Sequence, residues 1–238
     1  MTTRKSALVL LIVLFVVGCN SRPRTTLWIW ERDENLTSVD ASTTDFAVLA
    51  KTIYLNGNQV ISKPRLQPVT LPPNARTTAV VRIEAAPGFD VDVSRVAKEL
   101  TTAVPFNALG LQIDFDARRS ERPFYTALLQ RVRNELPEDK SLSITALASW
   151  CLDDPWIRDL PVDEAIPMLF RMGPEAPHFR RRLKAGHDFR PSICRHSFGL
   201  SLDEPVSGLP SGRRVYVFAP RPWSAESLAS ARNLGVMP

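Results

Sequence analysis

The chain is poor in the residues that build metal and cofactor sites. It has three histidines and three cysteines in 238 residues. His178, His187 and His196 show no ligand spacing and no carboxylate partner at helical offset, so no metal centre is expected. No glycine-rich phosphate loop follows any early strand-like run, which argues against a nucleotide-binding fold. No cofactor is expected. Excess charge of one sign is also scarce, with a formal net charge of +5. The densest basic run, Arg180-Arg181-Arg182-Leu183-Lys184, reads as a solvated helix face, so nucleic acid is not an expected partner. The apolar run near the N-terminus, Ala7 to Val17, is eleven residues. A bilayer-spanning helix needs about 20.

That short run has a different use. Arg4 and Lys5 precede it, giving the basic start and apolar middle of a secretory signal. Val16-Val17-Gly18-Cys19 then resembles a bacterial lipobox. The resemblance implies cleavage after residue 18, a diacylglyceryl thioether on Cys19 and attachment to a membrane through that lipid. Acyl chains partition at roughly 0.8 kcal/mol per buried CH₂. Asn20, rather than Asp, follows the cysteine, which favours the outer membrane with the domain facing the periplasm. Losing Arg4 and Lys5 lowers the formal charge to +3. Two cysteines remain, Cys151 and Cys194. An oxidising compartment permits a bridge, which their separation neither requires nor forbids.

Residues 19–25 read as lipidated cysteine and tether, and residues 26–238 as one domain. β-rich runs recur at Leu27–Trp30, Phe46–Leu55, Ala79–Ala85, Gly110–Phe115, Leu142–Ser149, Ala165–Met172, Gly199–Leu202 and Val215–Phe218, as pleated, half-buried surfaces require. Helical periodicity marks Asp90–Val104, Pro123–Leu136, Pro177–Ala185 and Ser224–Leu234. After the second strand, Asn56-Gly57 between β-rich runs signals a hairpin in place of a crossover helix. Residues 153–164 are also thin in helix signals. Eight strands with alternating crossovers predict an α/β fold, a lean (β/α)8 TIM-like barrel with that hairpin replacing one helix. An open doubly wound sheet is the alternative.

Barrel enzymes carry their chemistry at C-terminal strand ends. Alternation in the fourth strand sends Leu111, Ile113 and Phe115 one way and Gln112, Asp114 and Asp116 the other, into the lumen. In the third strand Arg82 and Glu84 share the inward face. This predicts an Arg82–Asp114 ion pair inside the barrel, with Glu84 and Asp116 near its mouth. Two carboxylates about 5 to 10 Å apart can divide acid and nucleophile or base roles on a glycosidic bond. Crowding of like charge raises one pKa, as an acid needs. The first strand ends in Trp30-Glu31-Arg32, and Trp150 follows the fifth, with Asp153 and Asp154 beyond. Indoles beside acids and guanidinium groups suit a carbohydrate cleft. Asp114, Asp116, Glu84 and Glu31 are therefore candidate catalytic residues, and Trp30, Arg32 and Trp150 candidate substrate-binding residues. Trp223 and Asp203-Glu204 are further mouth candidates. Trp28 and Trp156 read as core.

The runs from Leu27 to Arg32, Gly110 to Arg118 and Ser143 to Trp150 resemble a bacterial domain-of-unknown-function family, DUF3142. That resemblance implies a barrel related to glycoside hydrolases and carries no activity. More distantly, Asp114 and Asp116 are similar to the two Asp positions of the Asp-x-Asp-x-Glu motif of family-18 glycoside hydrolases. Arg118 stands where that motif has its proton donor, and an arginine cannot donate at neutral pH. The sequence thus leaves two functions open. One is a lipid-anchored hydrolase acting on a polysaccharide. The other is a non-catalytic carbohydrate-binding or envelope-assembly lipoprotein.

Overall fold

A computed structural model describes residues 24–237. Cys19, where a lipid is expected, and most of the expected tether lie outside them. Eight parallel strands form a ring: β1 (Thr25–Ile29), β2 (Thr44–Asn56), β3 (Arg76–Ala85), β4 (Gly110–Asp114), β5 (Ser141–Leu147), β6 (Glu164–Met168), β7 (Ser197–Ser201) and β8 (Arg214–Phe218). Each pairs with its neighbour in sequence order, and β1 pairs with both β2 and β8, so the sheet has closed. This is the TIM-like barrel the alternation predicts.

The hairpin is there too. Gln59–Pro64 runs back antiparallel along β2 after the turn Gly57-Asn58, where Gly57 takes φ +54°, a conformation cheap only for glycine. No helix separates β2 from β3. The helices are α1 (Val93–Thr101), α2 (Arg122–Glu135), α3 (Ala148–Leu152), α4 (Ala176–Lys184) and α5 (Ala225–Asn233). Asp92 caps α1 through its side chain, and Ser224 does the same for α5, satisfying amide donors that a helix start leaves open. The β-rich runs at 142–149 and 165–172 are shorter as strands than expected. The first turns into α3 at Ala148, and the second leaves the sheet after Met168.

Period-two alternation sorts the side chains into two cores. Outward residues Val81, Ile83, Leu111, Ile113 and Ile144 pack beneath Val96, Leu100, Leu128 and Val132 of the helices. Leu27, Ile29, Phe46 and Val217 meet Leu228 and Ala231 of α5. Inward residues Trp28, Ala47, Leu49, Val80, Ile166 and Tyr216 fill the lumen. Trp28 is its plug. Its Nε1 donates to Gln112 Oε1 at 2.6 Å, and Gly199 leaves room for the ring. A Cβ there would meet the indole at 2.6 Å.

Below Trp28 the lumen is polar. Asp45 pairs with Arg24 at 2.7 Å and Arg76 at 3.2 Å. Glu164 takes Arg214 at 3.3 Å and the Tyr216 hydroxyl at 3.2 Å. A cavity of about 560 Å³ opens among these residues at the N-terminal end. Cys151 at the end of α3 is bridged to Cys194, with Cα atoms 6.0 Å apart. Among the described residues, no helix is long and apolar enough to cross a membrane.

Candidate functional site

Above Trp28, at the C-terminal strand ends, an open cleft of about 610 Å³ lies where barrel active sites form. Its two walls differ in chemistry. β3, β4, the segment just after β4 and β5 supply Arg82, Glu84, Asp114, Asp116 and Thr145 to one. Trp30, Phe170 and Phe218 form the other.

The acidic wall follows from strand alternation. Asp114 is buried, and Thr145 Oγ1 donates to its Oδ1 at 2.7 Å from the neighbouring strand. Burial pushes the Asp114 carboxyl above the usual carboxylate range, while Thr145 and the Arg82 charge pull against it. Asp116 is exposed to the cleft. The protein around it and the Asp114 charge beside it raise its pKa to about 6. Such a carboxyl keeps its proton up to mildly acidic pH, about two pH units above an ordinary aspartate, which fits a general acid working there.

Glu84 also lines the cleft. The expected Arg82–Asp114 ion pair does not form, although the two residues are register partners. Arg82 Nε sits 3.1 Å from Glu84 Oε1 instead. The reason is solvation: both groups of that pair reach solvent, whereas meeting Asp114 would bury the guanidinium as well. Arg82 also lies 5.9 Å from the Trp30 ring centroid. Arg118, in the third position of the Asp-x-Asp-x-Glu pattern, reaches the cleft and pairs with Glu121 at 3.1 Å. Behind the acids stands Tyr125, fully buried, edge-on to Phe115. Its hydroxyl has no hydrogen-bond partner among the described residues. Burial, with the Asp114 and Asp116 charges, drives its pKa well up.

The aromatic wall is continuous. Phe170 and Phe218 stack in parallel at 5.5 Å, and Trp30 meets Phe218 edge-on at 6.3 Å. Trp30 thus stands where the sequence puts it. Three other expected contributors do not reach the cleft. Glu31 is exposed outside it. Arg32 does not line the cleft: its guanidinium lies 6.0 Å from the Phe218 centroid and is held by Glu34, 3.6 Å, and the Ala219 carbonyl, 2.8 Å. Trp150 is buried in the outer core, edge-on to Trp156 at 5.1 Å, because α3 begins two residues before it and turns it under the barrel's flank. Trp223 is buried as well, its indole donating to the Trp28 carbonyl at 3.2 Å. Asp153 lies outside the cleft with His178 and Arg182, and Asp154 with Arg122.

Thr145, Phe170, Phe218 and Arg171 are cleft residues that the reading of the sequence passed over. For Thr145 and Phe218 the signal was present: alternation in Ser143-Ile144-Thr145 and Tyr216-Val217-Phe218 points both inward. Phe170 and Arg171 sit on a loop beyond β6, where no periodicity applies. Among the described residues, no cluster of three or more His, Cys, Asp or Glu side chains could hold a metal ion. No protein-family profile, curated protein or solved structure matches the chain.

Proposed function

We propose that this chain is a lipid-anchored envelope protein whose barrel takes a polysaccharide into the cleft and hydrolyses a glycosidic bond there. The observation that carries the reading is the pairing of walls: the Asp116 carboxylate, exposed to the cleft above the buried Asp114, faces an aromatic surface made by Trp30, Phe170 and Phe218. A sugar ring has apolar C–H faces and polar edges, and this cleft offers a partner for each. Asp116 is the proton donor to the leaving oxygen, its raised pKa keeping it protonated below about pH 6. Glu84 is the partner carboxylate, and Asp114, fixed by Thr145, holds the charge balance beneath them. The Cys151–Cys194 bridge supports an oxidising, extracytoplasmic location, in keeping with a lipid on Cys19.

A non-catalytic sugar-binding role is the second reading. It is favoured by Arg118 in the motif's donor position and by the ion pair that ties Glu84 to Arg82. Incubating the soluble domain with a panel of envelope and plant polysaccharides, followed by product sizing, separates the two. New reducing ends that vanish in Asp116→Asn support hydrolysis. Retention without cleavage supports binding alone. Neither retention nor cleavage overturns both.

A further inference from the structure

We infer that the cleft selects a sugar bearing an acidic substituent, a carboxylate above all, and that Arg171 is the residue that reads it. This rests on the carbohydrate reading of the same cleft.

Two of the cleft's three arginines are spent on carboxylates. Arg82 is paired with Glu84 and Arg118 with Glu121. Arg171 lines the same space, yet no carboxylate lies within ion-pairing distance of its side chain among the described residues, and that side chain makes no hydrogen bond there. Its guanidinium rests 5.3 Å from the centroid of Phe218, so the aromatic wall ends in a stacked cation. Stacking holds the planar group in place and leaves its N–H fork unsatisfied by protein.

The backbone beneath it is held at a cost. Arg171 takes φ +50°, a region a long side chain rarely occupies. Both oxygens of Glu204 accept from its amide, at 3.2 and 3.1 Å. Residues kept in such conformations by neighbouring contacts gather at binding sites. Here Glu204, outside the cleft, divides its carboxylate between the Arg171 amide and the Arg180 guanidinium at 3.5 Å, and does not pair with the Arg171 guanidinium. The opposite wall, with Asp114, Asp116 and Glu84, repels an anion. Among the cleft's arginines, Arg171 is the one without a carboxylate partner among the described residues, so an acidic group is best placed at the Phe218–Arg171 end, where Glu175 is the acid that also lines the cleft. A guanidinium matches a carboxylate through two parallel N–H···O bonds.

The test uses a glycan array of matched pairs, each uronic acid oligosaccharide printed beside its methyl ester or neutral counterpart, with sulfated sugars as a separate arm. The probe is the soluble domain, wild type and Arg171→Asn. Asparagine tolerates the left-handed backbone and carries no charge. Thermal unfolding confirms that each variant is folded. Wild type is expected to favour the carboxylate member of a pair by about tenfold or more, the scale of a charge-assisted hydrogen bond. Arg171→Asn should bring that ratio towards one, and Arg171→Lys should retain part of it. Preference for sulfated over carboxylated sugars, lost in Arg171→Asn, keeps the role of Arg171 and replaces the carboxylate. Equal retention of both members by wild type, or a ratio unchanged in Arg171→Asn, overturns the inference while sugar binding stands. No retention of any glycan overturns the carbohydrate reading itself.

Discussion

Thr145 Oγ1 donates to Asp114 Oδ1 at 2.7 Å, from one barrel strand to the next. It is the one side-chain hydrogen bond that the buried Asp114 carboxylate receives among the described residues. Replacing Thr145 with valine keeps the shape and deletes the donor. A buried group left unsatisfied costs about 1–3 kcal/mol, so Thr145→Val should lose that much stability at pH 7. The loss should shrink at acid pH, because the raised pKa of Asp114 makes it take up its proton early as pH falls. Urea unfolding at the two pH values measures it; equal losses at both would show that the bond does not serve the ionised form.

Asp116 makes a separate pH prediction. Its folded pKa is about 6, above the roughly 3.9 of an unfolded chain. Between these values the folded protein holds more protons than the unfolded one, so this group makes stability fall as pH rises through the window. Asp116→Asn removes the effect. The variant's melting temperature should match wild type near pH 4 and exceed it above pH 6. In wild type, cleavage should fade as pH climbs through about 6. A variant less stable than wild type at pH 7 would contradict the assignment.

The barrel and its inward acids were legible because both depend on a period of two. Once β4 alternates, the faces of Asp114 and Asp116 follow, and the ring closure follows from eight such strands joined by right-handed crossovers. Trp150 and Arg82 were misread for a different reason. Placing Trp150 requires knowing where β5 ends, and strand ends depend on packing between distant segments. The partner of Arg82 depends on which choice costs less desolvation, a comparison that no spacing encodes. Phe170 and Arg171 lie on a loop whose path is set by Glu204, more than thirty residues away.

Gly199 and Trp28 offer a test of the floor. A methyl at residue 199 would lie 2.6 Å from the indole, too close to coexist. Gly199→Ala should push Trp28 from its bond with Gln112 and cost about 1–3 kcal/mol, as overpacking does. Because Trp28 also lines the cleft, sugar retention should weaken with it. A shifted tryptophan emission at unchanged far-UV circular dichroism would report the displaced ring.

The bridge between Cys151 and Cys194 closes a loop with a sequence separation of 43. In the chain-entropy account such a cross-link is worth about 4 kcal/mol. Reduction, or Cys151→Ser with Cys194→Ser, should lower the unfolding free energy by up to that amount. Cleft residues Asp116 and Trp30 do not touch the bridge, so glycan retention by the still-folded fraction should persist. Thermal unfolding with and without reductant measures the difference, and an unchanged midpoint would mean the bridge constrains little.

Glu84 and Trp30 separate chemistry from binding. Glu84→Gln keeps the size of the side chain and removes its charge. The ion pair it breaks with Arg82 is half-exposed, so little stability goes with it. If Glu84 takes part in bond cleavage, the variant should lose about 10²- to 10⁴-fold in turnover, the range of a positioned acid or base, while holding glycan as before. Trp30→Ala should do the reverse, weakening retention through loss of the aromatic wall and of the platform beneath Arg82. A Glu84→Gln protein that cleaves at the wild-type rate removes Glu84 from the reaction. The second carboxylate would then have to come from Asp114, whose burial and bond to Thr145 leave it poorly placed to reach a sugar.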